Sequence, residues 1–459
     1  MNKPLIKFLN HSSFLVCYKE TKILCDPWFF GSAFQNGWSL LYDKSHDINN
    51  IDFDYIWISH EHPDHFSIPT LKSLNKSTNF IFQKTEDKKV INYLKKIGHQ
   101  VFEIEDKKKI KVGDINIIVF VCDGYDSSIF FEFEKEYSFL NINDARVNLH
   151  NHIDNEIMPF LSKKKVDLVH FQFSYANWAG NKGDVQISKD QQELVNKKNI
   201  EIINKLNPRR FILAASFIYF CHEENFYWND NFYLRETYEL LKNIKKESKV
   251  IVPSPNQKII LSDDIDDFDL ANNKALDFWT ELHKSAKIKF RTKPVNDINF
   301  LKESYFRFFK KIYSNNEIIK TLDNKINSTN FELIIYIYDK KILIKISLIK
   351  KSFECSKNII SDEKDYDISI TSETFVFLME NDFARGTLTI NSRIIFNYSK
   401  AHKFFIFFFI PYSNNINKYY FDKKSLISDL ASIKNTSIMQ SILKFDTNLY
   451  NIIDSELNF

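Results

Sequence analysis

Six consecutive positions constrain this chain more than any others. In the stretch WISHEHPDHFSIPTL, His60, His62, Asp64 and His65 follow the pattern HxHxDH directly behind the apolar run Tyr55-Ile56-Trp57-Ile58. A strand leading into a loop with three imidazoles and a carboxylate gathers nitrogen and oxygen donors at one point, the donor set of a divalent metal site. With this spacing His60 and His62 can point to one metal position while Asp64 and His65 serve a second beside it.

The rest of the sequence restricts what such a site can belong to. At 459 residues the chain is too long for one ordinary domain and long enough for two cores. No apolar run reaches the roughly eighteen residues needed to cross a bilayer, so no membrane association is expected. The segment MNKPLIKFLNHSSFLV carries Asn10, His11 and Ser12 where a secretory signal has its apolar centre, and a cytoplasmic protein is expected. The 62 basic and 59 acidic residues leave a net charge of +3, too little for a global field that recruits nucleic acid. Cys17, Cys25, Cys122, Cys221 and Cys355 form no CxxC or CxH pair, which argues against a zinc ribbon, a Rieske cluster or a disulfide framework; they read as buried thiols. Abundant Lys, Asn, Ile and Phe beside only eight glycines point to an AT-rich bacterial genome.

The opening segments LIKFL, SFLVCYK and KILCDPWF read as strands of a hairpin-rich start. TEDKKVINYLKKIGH spaces Val90, Ile91, Leu94 and Ile97 as on one helix face, with Gly98 placed to end it. Strand-like runs return at INIIVFVC, SSIFFEFE and YSFLNIND, followed by a helix expected to start at a Ser188 to Gln191 capping box and stop before Pro208. Strands grouped between helices predict an α/β fold in which two packed sheets have helices outside, an αββα sandwich, over residues 1–283. Residues 284–299 read as a linker and 300–459 as a smaller α+β domain, with strands at FELIIYIYDKKILIKISLIK and GTLTINSRIIFN and a buried helix or strand at KFFIFFFIPY.

The motif HxHxDH, the upstream NHSSFLV and ILCDPWF, and the downstream YSFLNINDARV resemble the metallo-β-lactamase superfamily. The segments ISHEHPDHFSIPTLKSL, CDGYDSSIFFEFEKEYSFLNINDARV and LNPRRFILAASFIYFCHEENFY resemble the non-Rieske part of the CMP-N-acetylneuraminate hydroxylase family. The first resemblance implies a metallo-β-lactamase αββα sandwich and places Asp144 where the superfamily's bridging aspartate falls. It also exposes two departures: VCDGYDSS stands where hydrolases of the superfamily supply a histidine, and ILAASF has Ala215 and Ser216 near a second expected one. What remains around the first position is His60, His62 and a carboxylate from Asp144, helped by Asp123 or Asp126. Two histidines and a carboxylate with open positions form the ligand set of non-haem Fe(II) oxygenases.

His222 in YFCHEEN matches a histidine of the hydroxylase-like branch, which implies substrate binding or proton relay. The loop FQFSYANWAGNKGD, with Asn177, reads as a substrate loop. His11 and Asp26 in the opening hairpin are placed to hydrogen-bond metal ligands and fix their tautomers. His150 and His152 read as solvent-exposed.

These readings lead to a metal-dependent enzyme with one or two divalent ions, Fe(II) favoured and Zn(II) the alternative. The resemblance implies a monooxygenase acting on a sugar nucleotide or related acylated amino sugar, with electrons from a separate Rieske or ferredoxin protein. The alternative is a hydrolase of an ester, amide or phosphodiester in which Asp64 or Asp144 handles the proton. A third reading, a non-catalytic accessory protein, fits the intact HxHxDH least.

Overall fold

The computed structural model describes residues 3–43, 47–122, 126–134, 137–145, 152–161, 165–175, 177–245, 247–263, 268–321, 331–357, 365–444 and 453. Contacts divide the chain into two units. The first comprises Met1–Ala176, Lys189–Cys221 and Trp228–Lys287, and the second Asn177–Ser188, His222–Tyr227 and Ile288–Phe459.

In the first unit, alternating apolar residues build two seven-stranded sheets. One runs in the order Lys258–Ile260, Leu5–Asn10, Ser13–Tyr18, Thr21–Cys25, Tyr55–Trp57, Asn79–Gln83, Gln100–Ile104. The other runs Lys249–Ile251, Arg210–Ala214, Leu168–Gln172, Tyr137–Asn143, Asp126–Phe133, Ile115–Cys122, Ile110–Val112. Each sheet is antiparallel on one side and parallel on the other. Phe14 of the first sheet packs edge-on against Phe139 and at 4.7 Å against His170 of the second, so the inner faces form one core. The helix Lys89–Lys96 covers the outside of the first sheet through Val90, Ile91 and Leu94, in one cluster with Leu24, Ile56 and Phe80. Each such fully buried side chain contributes about 1.5–3 kcal/mol. Gly98, at φ +95°, follows that helix, a left-handed position that glycine occupies without the steric cost other residues meet. The architecture is the expected αββα sandwich.

The second unit is α+β. Its five-stranded sheet has the order Ser352–Ser356, Ile342–Ser347, Glu332–Ile337, Ile368–Ile370, Ile395–Phe396. The helix Ile298–Asn315, whose Asp297 cap accepts a hydrogen bond from Asn299 N–H, shares a core with Ile335, Ile337, Phe375 and Phe404.

Several local expectations fail for identifiable reasons. The segment read as a strand at GTLTINSRIIFN is mostly the helix Ala384–Asn391, because Ala384, Thr387, Leu388 and Asn391 bury a face at helical spacing; only Ile395–Phe396 is extended. The aromatic run, expected as a buried helix or strand, does form buried helices, Ala401–Phe407 and Phe409–Asn415. The long helix starts at Val185, so Ser188 lies buried within it and is not its cap. Cys25, Cys122 and Cys221 are buried, but Cys17 is partly exposed and Cys355 exposed. His152 is buried, not solvent-exposed, and His150 lies outside the described residues. Among the described residues no helix is long and apolar enough to cross a membrane.

Candidate metal centre

The motif follows the parallel strand Tyr55–Trp57 and is folded back on itself by two turn bonds, from His65 N–H and Phe66 N–H to the His62 carbonyl. The short helix Ile68–Lys72 then fixes the exit, with Ser67 accepting from Thr70 N–H and Pro69 in the first turn. Asp144 follows the strand Tyr137–Asn143, Asp126 begins the strand Asp126–Phe133, and His11 sits in the turn between the strands Leu5–Asn10 and Ser13–Tyr18. Register brings these strand ends together.

Three overlapping groups result, each with ligand atoms within 4.8 Å of one another: His60, His62 and Asp126; His60, His65 and Asp144; His11, Asp64 and His65. His60 Nε2 lies 2.8 Å from His62 Nδ1 and 3.9 Å from Asp126 Oδ1. His65 Nε2 lies 3.1 Å from Asp64 Oδ2, and His11 Nε2 lies 3.3 Å from the same oxygen. Asp144 Oδ2 stands between the two sets, 3.9 Å from His60 Nε2 and 3.5 Å from His65 Nε2. The arrangement offers two adjacent positions with a shared carboxylate.

Hydrogen bonds behind the site set the tautomers. Asp26 accepts from Ser59 N–H at 2.7 Å, from Ser59 Oγ–H at 2.7 Å and from Asn143 Nδ2 at 2.6 Å, and faces His65 Nδ1 at 3.1 Å. His65 therefore donates Nδ1–H to Asp26, and its Nε2 lone pair turns inward. With its own proton given to Asp26, Ser59 Oγ accepts from His60 Nδ1–H at 2.9 Å, which likewise leaves His60 Nε2 bare. His11 (φ 42°), Asp26 (φ 41°), Asn143 (φ 62°) and Ala215 (φ 52°) hold left-handed backbone around the centre, and Ala215 N–H donates to the His11 carbonyl. Such non-glycine conformations cost of order 1–3 kcal/mol each in sparsely populated regions and are held only where surroundings over-determine them.

Electrostatics match a cation. Burial lowers the pKa of His11, His60 and His62, favouring the neutral imidazole that can ligate. Burial alone would raise Asp64 and Asp144, yet the His65 charge and its hydrogen bonds hold both carboxyls well below their usual range. Burial opposes the charged form of His65, but Asp64 and Asp144 overcome it and raise His65 well above its ordinary value. A proton on His65 thus plays the cation's part. Asp64 Oδ1 and Asp144 Oδ1 are buried without a hydrogen-bond partner. Buried carboxylate oxygens left unpaired beside imidazole nitrogens fit divalent metals.

The structure brings His60, His62, Asp64, His65, Asp144, His11, Asp26 and Asp126 into this one region of the first unit, with Asp126 in direct reach of the histidine pair and Asp26 behind His65. Asp123 lies outside the described residues. His222 and Asn177 belong to the second unit. There His222 neighbours Glu224 and Glu373, with burial pulling its pKa down to about 4, and Arg393 already supplies a cation to Glu224 at 2.7 Å. Sequence reading missed His170, which is fully buried between the sheets. Its Nδ1–H donates to Asn141 Oδ1 at 2.6 Å, and burial pulls its pKa down to about 3. The available signal was its place in the alternation of LVHFQ, two residues before Gln172.

Comparison with known proteins bears on this region. A family model described as a β-lactamase superfamily domain matches residues 5–120. Residues 5–120 are thus similar to a metallo-β-lactamase superfamily domain. Cytidine monophosphate-N-acetylneuraminic acid hydroxylase of Xenopus laevis is 26% identical over 278 residues, covering 56% of this chain and 45% of that protein. The same-named protein of Mus musculus is 24% identical over 281 residues, 56% of this chain and 46% of its own length. The chain thus spans about half the length of the curated relatives it matches. Among solved structures, CmlA, a diiron β-hydroxylase from Streptomyces venezuelae, aligns over 57% of this chain and 55% of its own with 14% identity and a TM-score of 0.38. An isothiocyanate hydrolase from Delia radicum gut bacteria aligns over 56% of this chain and 98% of its own at 11% identity and a TM-score of 0.40.

Proposed function

We propose that the first unit is a dinuclear metal-dependent oxygenase that hydroxylates an acylated amino sugar, carried as a sugar nucleotide or a related compound. The observation that carries this reading is Asp126, which stands with His60 and His62 where a third histidine would make a zinc-hydrolase position. Two imidazoles and one carboxylate, with open positions left, suit Fe(II) and oxygen chemistry. The hydroxylase relatives supply the substrate class.

Under this reading His60, His62 and Asp126 would hold one ion and His65, Asp64 and His11 the other, with Asp144 within reach of both sets. Ferrous ions held there would supply the reducing centre for O₂ chemistry. Asp26 and Ser59 keep His65 and His60 in the ligating tautomer. His170, neutral and buried, keeps the wall behind the site uncharged. The overall change, substrate C–H plus O₂, two electrons and two protons to C–OH plus water, needs an external donor. That donor would be a ferredoxin or Rieske protein.

The second reading, a metal-dependent hydrolase, is favoured by the retained HxHxDH and by Asp64, a carboxylate able to take a proton from a nucleophilic water. The test loads the protein anaerobically with Fe(II) or with Zn(II) and assays acylated sugar nucleotides with and without reductant. Reductant-dependent incorporation of oxygen from ¹⁸O₂ is expected; zinc-supported hydrolysis indifferent to oxygen and reductant replaces the first reading by the second.

A further inference from the structure

In the first unit a cavity of about 280 Å³ opens beside the end of the helix Ile68–Lys72, with Lys72, Asn75, Lys76, Ser77 and His99 on its polar side. A water molecule's share of the liquid is about 30 Å³, so there is room for a polyatomic group. No Asp or Glu lines the cavity, and among the described residues neither lysine has a carboxylate within ion-pair distance. Asp52, which feels the charge of Lys76, is already paired with Lys22. His99 is only 9% exposed and packs at 5.0 Å on the Phe80 ring, and its Nδ1 is buried without a hydrogen-bond partner. With no acceptor for an Nδ1–H, the ring proton belongs on Nε2.

Carbonyls at the ends of the two nearby helices, which would repel an anion, already accept hydrogen bonds. Ser73 Oγ–H donates to Thr70, Asn49 Nδ2 to Ser73, Gly98 N–H to Lys95, His99 N–H to Leu94 and Ser77 Oγ–H to Gly98. The lysines therefore set the sign of the cavity's charge. The cavity also stands apart from the metal centre. It lies where the parallel strands Asn79–Gln83 and Gln100–Ile104 begin, whereas the HxHxDH loop leaves the far end of their neighbour Tyr55–Trp57.

We infer that this cavity binds a tetrahedral oxyanion of the phosphate type, free or as the head of a small monoester, between Lys72, Lys76 and His99. The two ammonium groups supply the charge, and His99 Nε2–H supplies a donor held in place by its packing on Phe80. An occupant ties residues 73–78 to the end of the helix Lys89–Lys96 and stabilises the first unit by mass action. The site stands whether the metal centre oxidises or hydrolyses its substrate.

The test is calorimetry of the metal-free full chain with inorganic phosphate, sulfate and glycerol 3-phosphate at constant ionic strength. Saturable binding is expected; tighter binding of the monoester marks a phosphorylated metabolite as the occupant, and equal binding marks the free ion. Lys72→Ala/Lys76→Ala should weaken binding about tenfold or more, the worth of a charge-assisted hydrogen bond, while circular dichroism stays that of wild type. Lys95→Ala/Lys96→Ala removes the same charge from the neighbouring helix and should cost much less. Burial lowers the pKa of His99, and a bound dianion facing it would raise that pKa again. Affinity for sulfate, whose own charge is constant, should therefore rise by up to about tenfold per unit as pH falls from about 8 to about 6. His99→Phe should abolish that slope, and His99→Gln should restore affinity without the slope. No saturable binding by wild type, equal losses in the two lysine pairs, a slope that survives His99→Phe, or binding lost in His60→Ala/His62→Ala overturns the assignment, the last by moving the oxyanion to the metal centre.

Discussion

His60 Nε2 and His62 Nδ1 face each other across 2.8 Å, with their rings nearly perpendicular at 81°. Two nitrogens on one ion at about 2.1 Å each lie about 3 Å apart when they subtend a right angle and about 3.4 Å at a tetrahedral angle. The observed 2.8 Å is shorter than either and is a hydrogen bond between the two rings, which an ion held by both nitrogens would replace.

Replacing His60 and His62 together by alanine should abolish binding at the position they share with Asp126 while the protein stays folded, since the sandwich core does not depend on two loop side chains. Metal analysis after gel filtration and circular dichroism check this. Full metal retention would move the site out of this loop, and loss of fold would make the metal structural.

Asp26→Asn should lower metal affinity about 10–100-fold without touching a ligand, because it removes the charge that holds His65 Nδ1–H and frees Ser59 to reorient. Competition with a coloured chelator measures it. Unchanged affinity would show that Asp26 serves packing alone.

Metal binding should release protons. His65 has a raised pKa in the metal-free arrangement, so it is protonated below that value, while ligation requires the neutral ring. Apparent affinity must therefore weaken as pH falls, by up to about tenfold per unit for one displaced proton. Calorimetry in buffers of different ionisation enthalpy counts the protons, and a pH-independent affinity would contradict the assignment of His65.

Phe14→Ala should destabilise the first unit by about 3–5 kcal/mol, because Phe14 is fully buried and joins the two sheets through Phe139 and His170. Denaturant unfolding checks the magnitude. A loss under about 1 kcal/mol would mean that the sheets collapse around the cavity.

We expect limited proteolysis to cut first between Lys284 and Asn296, in the non-helical stretch between the helices Asp269–Lys284 and Ile298–Asn315. First cleavage elsewhere would place the boundary wrongly.

The parts of this account legible in the sequence are those with short-range signals. HxHxDH behind an apolar strand, the alternation of the sheet segments and the helix ending at Gly98 depend on neighbours within a few residues. The partners of that motif do not. Asp126 and His11 reach the site through strand pairing over tens of residues, so the sequence named them only as helpers of the ligands, and His170 was missed. Ala384–Asn391 was misread because its Thr and Ile favour strands locally, while packing rewarded the helical face. Ser188 to Gln191 fits a cap pattern, but the chain turns helical three residues earlier.

The central claim is that His60, His62 and Asp126 on one side and His11, Asp64 and His65 on the other hold a metal pair bridged by Asp144. Anaerobic Fe(II) titration with Mössbauer spectroscopy of wild type and Asp126→Ala tests it most directly. Two irons per chain that become magnetically coupled on oxidation, with the coupling lost in Asp126→Ala, are the predicted result. A single ion, or a pair whose stoichiometry and coupling ignore Asp126, would contradict it.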